Sequence, residues 1–285
     1  MIGSALIFGL AAALFWGTGD YLVRMVEARI GVRRALLRGH LITLIVVPLA
    51  FPLVAAPPLA TVAPGVWGLA LLAALANLGM IVTLYRALAA GPLAVVGPIA
   101  GSYAGVTALL AIATGTDHVG AITGAALACI FLGVVLAGIE HDEGGMRNPG
   151  RGAIWAIICA LFGGFSYWLQ GAAVIPAIGP IITLAINTSV VVLACLAIRP
   201  DPTETAPKID VATIGLGLLN GLGFLAYLLG LATGQIVIVS VVGSMAGGIT
   251  ALLGAVLLRQ PMARLQWAGV ALILSGIAVL HGFHA

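Results

Sequence analysis

Ten stretches of this chain are each long and apolar enough to cross a bilayer, and little sequence remains between them. A spanning helix needs ~20 mostly apolar residues. The qualifying windows run roughly over residues 2–23, 38–56, 65–86, 92–114, 119–139, 152–173, 178–198, 211–233, 235–258 and 264–283. Punctuation falls between them at Ala56-Pro57-Pro58, Gly91-Pro92, the stretch from Glu140 to Gly152, and Arg199-Pro200-Asp201-Pro202. Some junctions are so short that the flanking segments must form helical hairpins. The hydrophobicity is continuous rather than alternating, which excludes a barrel, and backbone in lipid must satisfy its own hydrogen bonds. The expected fold is an all-α membrane protein of ten transmembrane helices.

Charge supports that reading. Only 7% of the residues are charged, against roughly 25% in a soluble domain, so lipid rather than water must solvate the surface. A net charge of +3 is too small and too scattered to point to nucleic acid. Cys129, Cys159 and Cys195 each sit inside an apolar run, without metal-ligand spacing, and read as small core hydrophobes. The start, Met1-Ile2-Gly3-Ser4, has no basic region and runs into a full-length span, so it reads as the first helix rather than a cleaved signal.

The sequence also repeats itself. A shift of 142 places Tyr85 on Tyr227, Gly101-Ser102 on Gly243-Ser244, and Ala104-Gly105 on Ala246-Gly247. One residue more places Gly133 on Gly276, and Leu14-Phe15-Trp16-Gly17 matches Leu161-Phe162-Gly163-Gly164. The expected organisation is a five-helix repeat over residues 1–140, a connection over 141–151, and a second repeat over 152–285. Five is odd, so the second repeat enters the membrane from the opposite side. Inverted repeats of this kind are common in secondary transporters, which hold substrate near the midplane between the halves.

Two halves of this size, with Phe15-Trp16-Gly17 and the basic Arg24 early, resemble the EamA branch of the drug/metabolite transporter (DMT) superfamily. The stretch Tyr85-Arg86-Ala87-Leu88-Ala89-Ala90, Pro98 beyond it, and the glycine-rich endings around Gly133 and Gly276 add to the likeness. The resemblance implies a basket of ten helices around a central cavity and alternating access. It also implies small metabolites such as amino acids as substrates, usually exported across the inner (plasma) membrane. Uptake of a sugar or other nutrient, or a non-transporting membrane protein, are the alternatives.

Asp20 is the one carboxylate that the windows place well inside a helix. Intramembrane acids are costly and serve as proton carriers or counter-ions; the competing reading pairs Asp20 with Arg24, one turn along the same face. Trp16 lies ~12 Å from Arg24 by helical rise, too deep for an interfacial anchor. Tyr85, Tyr103, Tyr167, Trp168 and Tyr227 offer aromatic surface with polar tips, and Asn77 and Asn220 are buried amides. With Ser102 and Ser244 these residues form the candidate cavity lining, and Asp20 is also the candidate for proton coupling. The small residues Gly97, Gly101, Gly105, Gly243, Gly247 and Gly248 suit close helix packing, and Pro98 suits a kink. No catalytic constellation, cofactor motif or metal-ligand spacing is present; the five histidines read as lying near helix ends. The expected partners are a small-molecule substrate and the lipid bilayer, and the chain does not read as an enzyme.

The basic residues predict orientation. Arg24, Arg29, Arg33, Arg34 and Arg38 fall between the first and second windows, and Arg86 between the third and fourth. Arg147 and Arg151, Arg199 and Lys208, and Arg259 and Arg264 occupy the next three alternate connections. All twelve basic residues thus lie on one side. Short basic loops stay cytoplasmic, so both termini are expected outside, although EamA-type relatives are drawn with both inside.

Overall fold

The computed structural model describes residues 2–50, 52, 59–90, 99–137, 149–198, 209–246, 249, 253 and 264–282, and within these the chain is helical without strands. The helices are α1 (Ile2–Ile30), α2 (Val32–Ala50), α3 (Pro64–Ala90), α4 (Tyr103–Ala113), α5 (Ala121–Ala137), α6 (Pro149–Leu169), α7 (Ile175–Ala197), α8 (Val211–Leu231), α9 (Ile236–Gly243) and α10 (Arg264–Gly282). Each falls within or overlaps one expected window. Among the described residues, Pro64–Ala87, Gly150–Ala197 and Val211–Leu231 are long and apolar enough to cross a membrane. Leu71, Leu72 and Leu75 on α3, and Leu193 and Leu196 on α7, are exposed. Buried polar residues such as Asn77, Ser166, Gln170 and Asn187 lie inside. Apolar outside and polar inside is what a lipid solvent selects.

Two boundaries differ from the sequence reading. α1 continues to Ile30 and α2 starts at Val32, so the supposed arginine-rich loop is helix broken only at Gly31. Gly31 has φ +77°, a left-handed value that glycine adopts without a Cβ clash. Two of these arginines find protein partners near that break: Arg29 pairs with Asp210, and Arg33 donates to the Ile198 carbonyl oxygen. α6 likewise passes through a π turn at Gln170–Val174 into α7, and the helical path is broken only at Gly179, with φ +79°, before Pro180.

α1 packs along α8, α3 along α6, and α5 along α10. Glycines set the closest approaches. A Cβ on Gly17 would lie 2.7 Å from Ile249 Cβ and 2.8 Å from the Ala246 carbonyl oxygen. One on Gly164 would lie 2.4 Å from Val106 Cβ and 3.0 Å from the Tyr103 oxygen. Gly133 faces the Gly269 oxygen at 2.6 Å and Gly276 the Ala126 oxygen at 2.7 Å, by the same measure. Tyr103 and Ala246, Val106 and Ile249, and Ala126 and Gly269 are all 143 residues apart. In α4 and just after α9 the contacts therefore run one residue away from the 142 offset. The stripe expected at Gly101 and Gly105 is not a tight contact. Gly101 has no described neighbour within 4 Å of such a Cβ, and Gly105 meets only the far edge of the Phe131 ring at 3.4 Å. Gly97, Pro98, Gly247 and Gly248 lie outside the described residues.

Candidate functional site

The arginines gather at one end of the bundle. Arg29, in the last turn of α1, pairs with Asp210, which caps α8. Asp210 Oδ1 accepts from the Thr213 backbone N–H at 2.9 Å and from its hydroxyl at 2.7 Å. Those bonds first, and the Arg29 guanidinium after them, hold the Asp210 carboxyl down at about 2, so it is ionised at neutral pH. Arg33 Nε donates to the Ile198 carbonyl oxygen at 3.0 Å, and Arg86 lies 4.9 Å above the Trp155 ring. Arg147, Arg199, Lys208 and Arg259, with the side chain of Arg24, lie outside the described residues.

A cavity of about 210 Å³ runs from this end into the bundle, between α1, α2, α3, α6 and α8. At ~30 Å³ per molecule it has room for roughly seven waters, or one small metabolite. Its lining reaches outward to Ala35 and Leu216, close to the starts of α2 and α8. Its inner wall is aromatic. Trp16 of α1 has its ring centroid 6.5 Å from Tyr167 of α6 and 6.3 Å from Phe224 of α8. Behind them Tyr227 lies 5.1 Å from Trp16 and 4.7 Å from Tyr167, and Tyr103 meets Tyr167 edge-on at 5.3 Å. Offset and edge-on pairs of this kind add attraction beyond the area that they bury. Gly223 makes the wall possible, because a Cβ there would come within 2.6 Å of Trp16 Cδ1.

Six of the residues singled out from sequence line this cavity: Trp16, Asp20, Asn77, Tyr85, Tyr167 and Asn220. Asp20 is exposed to it, ten residues before α1 ends. At 1.5 Å per residue that is ~15 Å from the helix end, deeper than the expected window allowed. The other five do not line it. Tyr227 is fully buried with its hydroxyl 2.8 Å from Ser240 Oγ, and Tyr103 is buried behind Tyr167. Ser102 donates to the Ile99 oxygen at 2.6 Å and Ser244 to the Val241 oxygen at 2.7 Å, each to a main-chain group three residues earlier. Trp168 Nε1 donates to Thr114 Oγ1 at 3.1 Å, away from the cavity.

Sequence reasoning passed over His40, Thr43 and Phe224, which also line the cavity. His40 had been assigned to a helix end, but α2 begins eight residues before it. The polar face Gly39-His40-Thr43 in an otherwise apolar helix was the available signal. Asp117 was missed as well. It lies between α4 and α5, only 5% exposed. Its Oδ2 accepts from the Val237 N–H at 2.9 Å, and its Oδ1 from the His118 N–H at 2.8 Å. Val237 is the second residue of α9, so Asp117 caps a helix from the other half of the chain. With Trp168 to Thr114, that contact joins the two halves at the end away from the arginines.

The comparisons with known proteins agree with this architecture. Residues 150–281 match the EamA-like transporter family, which bears out the resemblance read from sequence. A solved crystal structure shares the fold across 99% of this chain and 99% of its own, at a TM-score of 0.77 and 18% identity. No curated protein matches the chain. Apolar helices and the family match together make this an integral membrane protein.

Proposed function

From the match of residues 150–281 to the EamA-like transporter family, we propose that the whole chain is a secondary transporter. It carries a small polar or amphipathic metabolite, such as an amino acid, by alternating access, in the direction of export. The observation that carries this reading is the cavity itself. It reaches from the arginine-rich end to an aromatic wall inside the bundle, while Asp117 and Trp168 tie the far end together. A cavity that reaches toward one end, with helices tied together at the other, suits a carrier between turnovers. The aromatic, amide and carboxylate groups are suited to binding and release.

The internal repeat supports the same reading. Gly17 and Gly164 press on the segment just after α9 and on α4 through partners 143 residues apart, and Gly133 and Gly276 mirror one another across α5 and α10. Gly31 and Gly179 both break the helical path with left-handed φ. Their spacing is 148, against 147 for Gly17 and Gly164, and a π turn of the kind at Gln170–Val174 inserts one such residue. Two repeats rocking against each other around a shared site is the corresponding mechanism. In proteoliposomes, counterflow of a radiolabelled metabolite panel should reveal at least one exchanged substrate. No exchange across a broad panel would count against the proposal.

We also propose that the arginine end faces the cytoplasm, with both termini outside, because short basic segments resist translocation. In intact cells, with the three native cysteines replaced, Thr61→Cys should react with a membrane-impermeant maleimide and Gly145→Cys should not. The reverse labelling would assign the opposite orientation.

A further inference from the structure

Among the described residues, the carboxamides buried in this bundle are bonded to it, with one exception. Gln170 donates to Ser166 Oγ at 2.8 Å, and Asn187 to the Thr183 oxygen at 2.9 Å. Asn77 is only 5% exposed, yet no described group bonds its carboxamide, and it lines the cavity. Met80, Ile81 and Leu84 line the cavity with it, because residues three, four and seven apart share one helix face. An amide buried without partners is costly, so packing on that apolar face does not account for an asparagine. By helical rise Asn77 lies ~20 Å from the end of α3 at Ala90, and Trp16 ~21 Å from the end of α1 at Ile30. Both helices end among the arginines, so the amide and the aromatic wall sit at one depth. His40 Nδ1 lies 2.9 Å from the Leu36 carbonyl oxygen. A carbonyl only accepts, so Nδ1 carries the proton there, and Nε2 of the neutral ring is left as an acceptor.

A carboxamide offers N–H donors beside an acceptor oxygen. Its complement is an edge with an N–H beside a C=O, and asparagine reads nucleobase edges in this two-pronged way. A flat ring also suits the wall. Trp16 and Phe224 are half-buried with the cavity before them, and bases stack on aromatic side chains whatever their sequence. Aliphatic side chains make up much of the remaining lining, so a sugar would leave hydroxyls unmatched there, each at a cost. We propose that the cavity takes a small planar heterocycle with an amide edge, of the kind that free nucleobases carry. Asn77 Oδ1 accepts from the ring N–H, Asn77 Nδ2 donates to the adjacent ring oxygen, and Trp16 and Phe224 supply the stacking surface. Asp20, which already has an interaction within the chain, takes no part. The proposal rests on the transporter reading only for what binding leads to; the binding itself is separable from transport.

The test is equilibrium binding to the full chain in nanodiscs, read by ligand-observed NMR. The probes are thymine, 1,3-dimethylthymine, which keeps the ring and loses both N–H donors, and D-glucose, which has hydroxyls and no flat face. Thymine should bind at least about tenfold more tightly than either of the others. Asn77→Leu should bring thymine and 1,3-dimethylthymine within about threefold of each other while 1,3-dimethylthymine still binds, which separates the hydrogen bonds from the bulk of the added methyls. Equal or preferred binding of 1,3-dimethylthymine or glucose by the parent protein overturns the proposal, as does failure to bind thymine. So does an undiminished thymine preference in Asn77→Leu. Should Asn77→Leu not fold, the order of the three probes on the parent protein decides. Thymine binding without counterflow of any substrate would fail the transporter reading alone. Counterflow of an amino acid or a sugar without thymine binding would fail this one alone.

Discussion

Gly164→Leu should leave no folded protein to purify, while Gly101→Leu should express as the parent does. At Gly164 even a Cβ would lie 2.4 Å from Val106 Cβ, 2.5 Å from its Cγ1, and 3.0 Å from the Tyr103 main-chain oxygen. Neither α4 nor α6 can yield locally, because the obstruction is branched Cβ and backbone rather than a flexible tip. Overpacking by a few methylenes typically costs 1–3 kcal/mol, and a leucine here adds a whole side chain where its first atom already collides. Total stabilities of soluble proteins are about 5–15 kcal/mol, so a loss of several is decisive. Gly17→Leu, facing the Ala246 oxygen just past the end of α9, should behave like Gly164→Leu. Expression yield and gel filtration in detergent measure all three. Parent-like behaviour of Gly164→Leu would mean that α4 and α6 are not in contact there.

Trp16→Ala should reduce substrate exchange by more than about tenfold while lowering thermal stability in detergent only moderately. Trp16 is half-buried, with the cavity on one side and Tyr227 on the other. A fully buried tryptophan costs about 3–5 kcal/mol to truncate in soluble cores; one with a solvated face costs less. Its loss removes the inner wall of the cavity, and with it the surface against which an apolar body would rest. Tyr227→Phe is the contrasting change. It deletes a hydroxyl bonded to Ser240 and fully buried away from the cavity. It should lower stability by about 1 kcal/mol and leave exchange within about twofold. Equal losses of exchange and stability in Trp16→Ala would assign Trp16 to packing.

Much of this was legible in the sequence, because lipid imposes a simple rule on it. Apolar runs of fixed length had to be helices, so every described helix falls on an expected window, while the ends shifted. Nothing in hydropathy announces that α1 continues through Arg24 and Arg29 to Gly31, since arginine is as compatible with a helix as with a loop. That extension moved His40 from a helix end to the cavity and set Asp20 deeper than expected. Glycine spacing pointed to close packing and was right at Gly243, where a Cβ would lie 3.0 Å from Tyr227 Cε2, but not at the other described glycines of the stripe. Gly101 and Gly105 have the periodicity, yet Gly17, Gly164, Gly133 and Gly276 make the contacts, because crossing geometry decides which face meets a neighbour. Tyr227 and Tyr103 could not be separated from Tyr167 by type, as all three are buried near one another in a single cluster. Asp117 was invisible for another reason. Its partner is a backbone N–H 120 residues away, and backbone donors leave no mark on a sequence.

The central claim is that one cavity serves both sides of the membrane in turn, which requires the contact between Asp117 and Val237 to open. Paired Asp117→Cys and Val237→Cys, in a background without the native cysteines, place two thiols across that contact. Counterflow in proteoliposomes should proceed when the pair is reduced, fall to background when it is oxidised or bridged by a short bis-maleimide, and return on reduction of the disulfide. Binding measured in nanodiscs should survive the cross-link, because the cavity lining does not include either residue. Undiminished counterflow with the cross-link complete would contradict alternating access through this cavity.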